Sequence, residues 1–456
     1  MLRLLGGQVE SLFDLGLPVE VRELPADLAV LDRLLEDAAL FTPVVAAWDV
    51  SAVAFGRPSI PIEQLVRLMV VKQRSGWGYE TLVREVSDSL HLRRFCRVAL
   101  TERVPDESTI RKLVRRLGPD VIDAVTRALI VSATTGERRF VARTARIDST
   151  VVEADIRYPT DLGLAADATR VLARAGATVR GLTGSSAKPV RDRSKAVAAR
   201  LRRLSRSLAA RTGEAKPLAL RLTGEAGALV EQSVREAQRL VATLRERARG
   251  RGAARKRAAA DRLEVLIERA TKVAEQIRKR LRGERIADRL VSLADPDARP
   301  IRKGKLRAPT EFGYVVQLAE VCEHSGRGAR GLIVPAASVI GSANEAELLP
   351  ITAAELDQAG LHPRVLALDG GFTRGTVATA LPDASTVFIS GRQTTGSRRR
   401  DRRLARFRVG IEGRISHLKR RYGLGRSRLR GHTGQRIWTA WAILAYNLDT
   451  LAVRAA

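Results

Sequence analysis

The chain has 456 residues, which is enough for two or three structural units and a substantial core. Its 80 lysines and arginines outnumber its 50 aspartates and glutamates, so the net charge is +30, and 45% of its residues are hydrophobic. This balance excludes a disordered chain and favours a polyanionic partner, of which nucleic acid is the commonest soluble example. An arginine-rich genome would explain arginine in place of lysine, but not so large an excess of positive charge.

Two cysteines, Cys96 and Cys322, are too few for a disulfide framework or a zinc cluster of the usual kind. The first residues carry an acid too early, and too little apolar length, for a signal peptide. The longest apolar stretch, Trp438 to Val453, is interrupted by polar residues and predicts a buried amphipathic helix rather than a membrane span. We therefore expect a cytoplasmic protein that does not use a membrane.

The N-terminal part of the chain is predicted to be helical. Residues 1–57 have leucines at helical spacing but no chemical motif. Residues 58–139 predict three further helices, with a turn at Ser75–Gly78 and a third helix that ends at Gly118. Three short helices of this kind are typical of a helix-turn-helix unit, so residues 58–139 are predicted to bind DNA.

The third of these predicted helices has a basic face opposite an apolar one. The basic residues are Arg111, Lys112, Arg115 and Arg116. A solvated charged face explains them equally well when the helix is taken alone. The acidic residues farther along the chain, described below, favour a contact with DNA.

A β region begins after these helices and is interrupted by a long helical segment. Strand structure is predicted from Phe140 to Ile156, in a region that extends over residues 140–163. Residues 164–290 are rich in Arg, Ala, Leu and Glu at helical spacing and predict an inserted helical hairpin or short antiparallel coiled coil. A structural spacer explains this insertion at least as well as an arm that contacts DNA.

Strand signals resume over residues 291–430, alternating with helical segments, so this part is predicted to be mixed α/β. Three cations beside its first strand, Arg302, Lys303 and Lys305, are placed to follow DNA phosphates. A basic, turn-rich stretch from Gly391 to Arg403 predicts a loop. Residues 431–456 predict a C-terminal helix that packs on the core.

Three acids of the predicted α/β part, one in residues 140–163 and two in residues 291–430, point to metal chemistry. Asp148 and Asp369 each end a hydrophobic strand run, where carboxylates on adjacent strands can converge. Glu412 is on a predicted helix, with Arg408 and Lys419 on the same face because 3.6 residues make one turn. Each aspartate could also be a simple turn residue, and Glu412 could belong to a surface salt-bridge stripe.

Taken together, the three carboxylates suit Mg²⁺, which prefers oxygen ligands. Two ions about 3.5–4 Å apart would activate an attacking oxygen and stabilise the leaving oxygen of a phosphodiester. We therefore expect two Mg²⁺ ions, with Mn²⁺ as a substitute, bound by Asp148, Asp369 and Glu412.

The chain resembles a bacterial insertion-sequence transposase of the DDE type, and it is most similar to the branch called ISNCY. The resemblance covers almost the whole chain and rests on RIDSTVVEADIRYPTD, DPDARPIRKGK with EFGYVVQL, LALDGGFTRG, and GIEGRISHLKRRYGLGRSRLRG with IWTAWAILAYNLDT. It implies an RNase H-like catalytic core, a mixed sheet flanked by helices, over residues 140–163 and 291–430. It assigns the catalytic acids to Asp148, Asp369 and Glu412.

The resemblance also implies roles for neighbouring residues and a reaction. Related transposases have a Tyr-x2-Arg-x3-Glu-x6-Lys pattern, which Arg408, Glu412 and Lys419 fit, while Ala405 stands at the Tyr position. Arg408 and Lys419 would position the phosphate backbone. Water would cut at the end of the element, and the freed 3′-hydroxyl would then attack target DNA.

The expected partners are double-stranded DNA, as terminal repeats and as target, and further copies of the chain in a homodimer or larger assembly. The expected location is the nucleoid within the bacterial cytoplasm.

Two other functions remain open from the sequence. His417 and Arg420 form an H-x-x-R motif, with Tyr422 and Tyr446 nearby, which resembles tyrosine recombinases; that chemistry needs no metal and forms a covalent phosphotyrosyl link. The chain could also be a non-catalytic DNA-binding relic of a mobile element. Retention of all three acids favours the enzyme.

Overall fold

The computed structural model describes residues 12–47, 60–136, 139–183, 188–209, 215–250, 252–302, 310–341, 343–392 and 395–455. The chain divides into two compact units. The first, which we call the discontinuous unit, consists of Met1–Asp155 and Tyr314–Ala456. The second, the inserted unit, is Ile156–Gly313.

The elements alternate between helical and mixed regions along the chain. The N-terminal helices are α1 (Leu12–Leu15), α2 (Val19–Arg22), α3 (Ala26–Leu34), a 3-10 turn (Ala38–Phe41), α4 (Thr42–Ala47), α5 (Ile62–Ser75), α6 (Tyr79–Asp88), α7 (Leu90–Phe95) and α8 (Glu107–Thr135). One strand and four helices follow as β1 (Thr144–Ala154), α9 (Asp161–Thr183), α10 (Ser194–Ala209), α11 (Ala215–Glu246) and α12 (Ala253–Leu281). The remaining elements are β2 (Arg299–Arg302), β3 (Thr310–Cys322), β4 (Leu332–Ile333), β5 (Ala337–Ser338), α13 (Glu345–Gln358), β6 (Val365–Leu368), α14 (Arg374–Ala380), β7 (Thr386–Ile389), α15 (Arg398–Arg421), β8 (Arg426–Ser427) and α16 (Gly431–Ala455).

The sheet of the discontinuous unit is mixed, with helices packed against it. Its central strands lie in the order β3-β1-β6-β7, and β1, β6 and β7 are parallel. The short strands β4 and β5 pair antiparallel with β3, and β8 pairs with the end of β1. Parallel strands need both faces covered, and the central strands are accordingly rich in buried Val, Ile, Leu and Ala.

One apolar core joins the N-terminal helices to the sheet. Leu31 of α3, Leu65 of α5, Ile147 of β1 and Trp441 of α16 belong to the same buried cluster. The sequence predicts residues 1–57, 58–139, the catalytic core and the C-terminal helix as separate regions. The structure joins them in one compact unit, except for residues 156–163 and 291–313 of the predicted core, which belong to the inserted unit. The shared core explains this, because α16 packs on α3, α5 and α8.

The helices predicted over residues 58–139 are present, with an additional short helix, α7. Helix α8 begins as expected, since the side chain of Asp106 accepts hydrogen bonds from the backbone N–H groups of Ser108 and Thr109. The first segment of α8 ends at Gly118, as predicted, and the prediction did not include the second segment. Gly118 breaks the helix with φ 73° and ψ 179°, and Pro119 begins a further helical segment because its restricted φ suits a first helical position.

The described part of the inserted unit contains four helices rather than the helical pair that the sequence predicts. Helix α9 packs on α10, α11 and α12, and α10 also packs on α11. Their shared core consists mainly of alanine, leucine and valine, and Gly227 lets α11 approach Ile277 of α12. In the same unit, β2 pairs antiparallel with the first four residues of β3.

The C-terminal part of the discontinuous unit is helical over more residues than predicted. Helix α15 begins at Arg398, after the N-cap Ser397, so the loop predicted from Gly391 to Arg403 is wrong over its last residues. Helix α16 is buried along most of its length, as predicted, including Trp438 and Trp441. No helix in the described part of the chain is long and apolar enough to cross a membrane.

Candidate active site

Two of the predicted acids lie side by side at one edge of the sheet. In the parallel register of β1 and β6, Ile147 pairs with Leu368. Asp148 and Asp369 are the next residues of their strands, so both carboxylates leave the sheet at the same point. The buried residues before them hold the two strands together; β6 ends just before Asp369, whereas β1 continues through Asp148 to Ala154 and is buried again from Thr150 to Val152, so Asp148 is not the strand-end residue that the sequence predicts.

Asp148 is half-buried and sits in an environment of opposing charges. Burial raises its pKa, and the negative charges of Asp369 and Glu412 add to this increase. The backbone N–H of Ser149 donates a hydrogen bond of 2.7 Å to its Oδ1, and this bond, like the charge of Arg408, acts to lower the pKa. Asp148 is therefore a carboxylate whose charged form a bound cation would stabilise.

The third acid is carried over the sheet by α15, which packs on β1 and β6. Leu404, Phe407, Ile411 and Leu418 are buried at helical spacing and form the face of α15 that is directed towards the core. Glu412 follows Ile411, and 55% of its side chain is exposed. The helix thus places Glu412 beside the strand ends with its carboxylate open to solvent.

Arg408 joins two of the acids. Its Nη2 donates to Glu412 Oε1 at 2.8 Å, and its Nη1 lies 3.5 Å from Asp369 Oδ1. The side chain of Arg408 is only 13% exposed, whereas Asp369 is 45% exposed. We expected Arg408 to hold a DNA phosphate, but in this structure its guanidinium compensates the charge of the two carboxylates.

The residues suit a divalent metal in their chemistry. Carboxylate oxygens are the ligands that Mg²⁺ prefers, and Asp148, Asp369 and Glu412 are close enough to influence one another electrostatically. Within the described ranges, however, no group of three or more His, Cys, Asp or Glu side chains is arranged to hold a metal ion. Arg408 supplies the positive charge in the arrangement observed and contacts one oxygen of Asp369 and one of Glu412.

A buried ionic cluster connects the strand of Asp148 to the helix of Glu412. Glu320 of β3 has no exposed surface. It accepts hydrogen bonds from Arg146 Nε at 2.7 Å and from Arg414 Nε at 3.0 Å. Arg146 is two residues before Asp148, and Arg414 is two residues after Glu412. The cluster therefore fixes the strand and the helix that carry two of the acids.

Gly410 allows α15 to lie over this cluster. A Cβ atom at Gly410 would lie 1.8 Å from Arg146 Nη1. Arg146 Nη1 also donates to the backbone carbonyl of Phe407 at 2.7 Å. Sequence reasoning missed Arg146, Glu320 and Gly410, although charged residues within apolar strands signal buried ionic partners.

The residues predicted to bind DNA differ in how exposed they are in the structure. Lys112, Arg115 and Arg116 are exposed on α8, as the basic face predicts. Arg111 is partly buried and forms a 2.5 Å ion pair with Glu107. Arg302 is exposed on β2 in the inserted unit, while Lys303 and Lys305 lie outside the described residues.

Lys419 is separated from Arg408, although both share a helix with Glu412. It lines a cavity together with Arg111 and Arg115. Ala405, at the position where related transposases have tyrosine, packs at the edge of a small buried cluster that contains Leu404 and Phe407.

The tyrosines of the H-x-x-R alternative are poorly placed for nucleophilic attack. The Tyr422 hydroxyl donates to Asp449 at 2.6 Å, and burial followed by this acid raises its pKa. Tyr446 has no exposed surface, and its hydroxyl donates to the carbonyl of Gly331 at 3.0 Å. A nucleophile must reach DNA and lose its proton, so these environments argue against a tyrosine recombinase.

Two parts of the chain match known family models. Residues 21–116 match a family model described as Transposase domain (DUF772), and residues 325–448 match one described as Transposase DDE domain. The two matches support an insertion-sequence transposase, which implies DNA binding and a transposition enzyme. The second match includes Asp369 and Glu412, whereas Asp148 lies outside both. No curated protein and no solved structure matches the chain.

Proposed function

We propose that this insertion-sequence transposase, of the ISNCY branch, binds the ends of its element and catalyses Mg²⁺-dependent strand cleavage and strand transfer. The catalytic acids are Asp148, Asp369 and Glu412. The observation that carries the proposal is the parallel register of β1 and β6, which sets Asp148 beside Asp369 and beneath the helix of Glu412. Asp148 is assigned to the site because of this strand register, since it lies outside both family matches.

The sheet supports an RNase H-like core. Its strands have the order β3-β1-β6-β7, with β4 and β5 on the outer side of β3, and the last three central strands are parallel. The start of β1 lies beside the end of β3, since Arg143 N donates to Cys322 O at 3.1 Å. The acids then come from the central strand, its parallel neighbour and a later helix.

The carboxylates and Arg408 have different roles in the proposed reaction. Two Mg²⁺ ions, or Mn²⁺ in their place, would activate the attacking oxygen and stabilise the leaving oxygen when bound by the three carboxylates. Arg408 would leave Asp369 and Glu412 and donate to the DNA phosphate, because a guanidinium binds phosphate and carboxylate oxygens by the same geometry. The first attack, by water, frees a 3′-hydroxyl at the element end, and the second, by that hydroxyl, joins it to target DNA.

The basic face of α8 supports binding of the element ends. Lys112, Arg115 and Arg116 are exposed on one helix of the N-terminal helical region, as expected of a helix that follows a DNA groove. Cleavage and joining of two ends in one event require that the ends be held together. We therefore propose that the active form is a homodimer or larger assembly on DNA.

The test is incubation of the purified chain with labelled DNA that carries the terminal repeats of its element, with and without Mg²⁺. Glu412→Gln, Asp148→Asn and Asp369→Asn should each lower cleavage about a thousandfold or more while DNA binding is retained. Asp383→Asn, an exposed acid of the same unit, is the matched control and should leave the rate unchanged.

The outcome separates the three functions. Full-rate cleavage by any of the three site variants would overturn the assignment of that acid. Activity that resists a chelator and leaves a phosphotyrosyl adduct would establish the tyrosine recombinase instead. Tight DNA binding by wild type without any cleavage would establish a relic.

A further inference from the structure

A second cationic site lies in the discontinuous unit, in a cavity of about 750 Å³ that we call the Lys72 cavity. It is lined by the end of α5, the start of α6, α8, and the segment that joins α15 to α16. Its basic residues are Lys72, Arg111, Arg115, Lys419, Arg426 and Arg428. Three acids also line it, and two of them already bind arginines, in the pairs Glu107–Arg111 and Glu153–Arg426. The cavity is therefore strongly positive.

Lys72 is the unusual member of this set, because it is almost fully buried, with 3% exposed surface. Its ammonium lies over two aromatic rings, 4.9 Å from the centroid of Tyr79 and 4.7 Å from that of Trp438. Among the residues that the structure describes, no carboxylate lies within ion-pair distance of Lys72. Burial, together with the charge of Arg428, lowers the pKa of Lys72 to about 8.

This environment favours an anion. A buried cation without a carboxylate costs free energy, and contact with aromatic faces offsets only part of that cost. An anionic ligand in the cavity would restore the missing charge and accept hydrogen bonds from the ammonium. The buried ammonium of Lys72 therefore lacks an anionic partner among the described residues of the protein, and a bound anion would supply it.

The position of the cavity points to DNA as the source of the anion. Lys419 lines it and follows Glu412 on the same helix by seven residues, about 10 Å at 1.5 Å per residue. Arg115, on the predicted DNA-binding face of α8, lines it too. A DNA strand advances about 3.4 Å per nucleotide, so this distance corresponds to about three nucleotides.

We propose that the Lys72 cavity binds a backbone phosphate of the element end, about three nucleotides from the phosphate that is cut. This inference rests on the proposed function, since it requires DNA at the three acids. A phosphate there would fix how far the strand extends from the α8 side to the active site. The cavity would thereby set which bond is presented for cleavage.

The test neutralises the phosphates of the terminal-repeat duplex one at a time as methylphosphonates and measures binding without divalent metal. With wild type, one position near the cleavage point should lower affinity about 10- to 100-fold. Lys72→Gln should bind the unmodified duplex more weakly by a similar factor and lose its sensitivity at that position only. The slope of log affinity against log salt should also fall by about 1.

Two further variants keep the test decisive if Lys72→Gln does not fold. Arg428→Gln changes an exposed residue of the cavity and should weaken the contact at the same phosphate. Arg84→Gln removes an exposed arginine of α6 outside the cavity, so its phosphate profile should match wild type.

Each other outcome overturns the inference. Identical profiles for wild type, Lys72→Gln and Arg428→Gln would show that the cavity holds no DNA phosphate. Binding of inorganic phosphate that depends on Lys72, with no sensitive position in the duplex, would assign the cavity to a free anion. Failure of wild type to bind the duplex would overturn the proposed function as well, whereas binding without a Lys72-dependent position would overturn this inference alone.

Discussion

The two units of this protein place their charges differently. The discontinuous unit buries charged side chains inside its core, including Glu63, Arg67, Lys72, Arg146 and Glu320. Among the described residues of the inserted unit, the buried charged residues are Asp161 and Asp295. Most of the ion pairs of that unit are exposed on helices, such as Arg245 with Glu264.

This difference reflects two ways of building a stable unit. The inserted unit is held by repeated apolar contacts between helices, which tolerate variation in any one side chain. The discontinuous unit holds its acids through buried ionic contacts, where removal of one partner leaves a charge without compensation. The positions of side chains around Asp148 and Glu412 are therefore fixed more strictly than those of side chains in the four described helices of the inserted unit.

The largest effect on stability is expected at Glu320. Glu320→Ala leaves Arg146 and Arg414 without their shared carboxylate and should lower the free energy of unfolding by about 3–5 kcal/mol. The matched change in the inserted unit, Glu264→Ala, should cost less than about 1 kcal/mol because its pair is exposed. Urea unfolding of the two variants measures the difference, and equal losses would contradict the contrast between the units.

A smaller effect is expected from an added methyl group. Gly410→Ala brings a Cβ against Arg146 and should destabilise the discontinuous unit by about 1–3 kcal/mol, because the cluster must shift. It should also slow cleavage, since α15 carries Glu412. In α9 of the inserted unit, Gly181 has open space around it, so Gly181→Ala should stabilise that unit by about 0.5–1 kcal/mol. Thermal unfolding and cleavage rates test both changes, and a harmless Gly410→Ala would disprove the close approach.

The smallest expected effect on cleavage is a shift in the pH dependence of its rate. Because the pKa of Asp148 is raised, cleavage should be lost with falling pH above the range usual for an aspartate. Arg408 opposes this rise, so Arg408→Gln should move the acidic limb to still higher pH. Cleavage rates measured across pH at limiting Mg²⁺, where most sites are free of metal, test the shift, and a limb that moves to lower pH would refute this role of Arg408.

The stability of the two units should respond to pH with opposite signs. Asp148 has a raised pKa in the folded state, so its stabilising contribution is present at low pH and is lost as pH rises through that pKa. The hydrogen bond from Arg193 lowers the pKa of Glu236 in the inserted unit, so its contribution is present above the ordinary glutamate pKa and is lost as pH falls. Urea titrations of Asp148→Asn and Glu236→Gln across pH should show these opposite trends.

Much of the site can be predicted from local sequence patterns. An apolar run that ends in an acid predicts Asp148 and Asp369 as strand-end residues; the structure confirms this for Asp369, which follows β6, whereas Asp148 lies inside β1, which continues to Ala154. The four-residue spacing of Arg408 and Glu412 predicts a contact on one helix face, which the 2.8 Å hydrogen bond confirms. The metal ions and the catalytic roles stay predictions.

Other features could not be predicted because they join distant parts of the chain. The sequence does not show that α16 and the N-terminal helices share one core, or that Glu320 binds both Arg146 and Arg414. The second segment of α8, after Gly118, was not predicted because a glycine followed by proline can either end a helix or redirect it. The Lys72 cavity is formed by residues from both ends of the discontinuous unit, so no single segment indicates it.

The sequence by itself determined the basic charge of the protein, the helical spacing of its apolar residues and the three candidate acids, because these are properties of composition and short-range periodicity. Only the tertiary structure decided the register that sets Asp148 beside Asp369, the position of Arg408 between two acids and the burial of Lys72. The physical reason is that electrostatic environment depends on which distant segments pack together and exclude water.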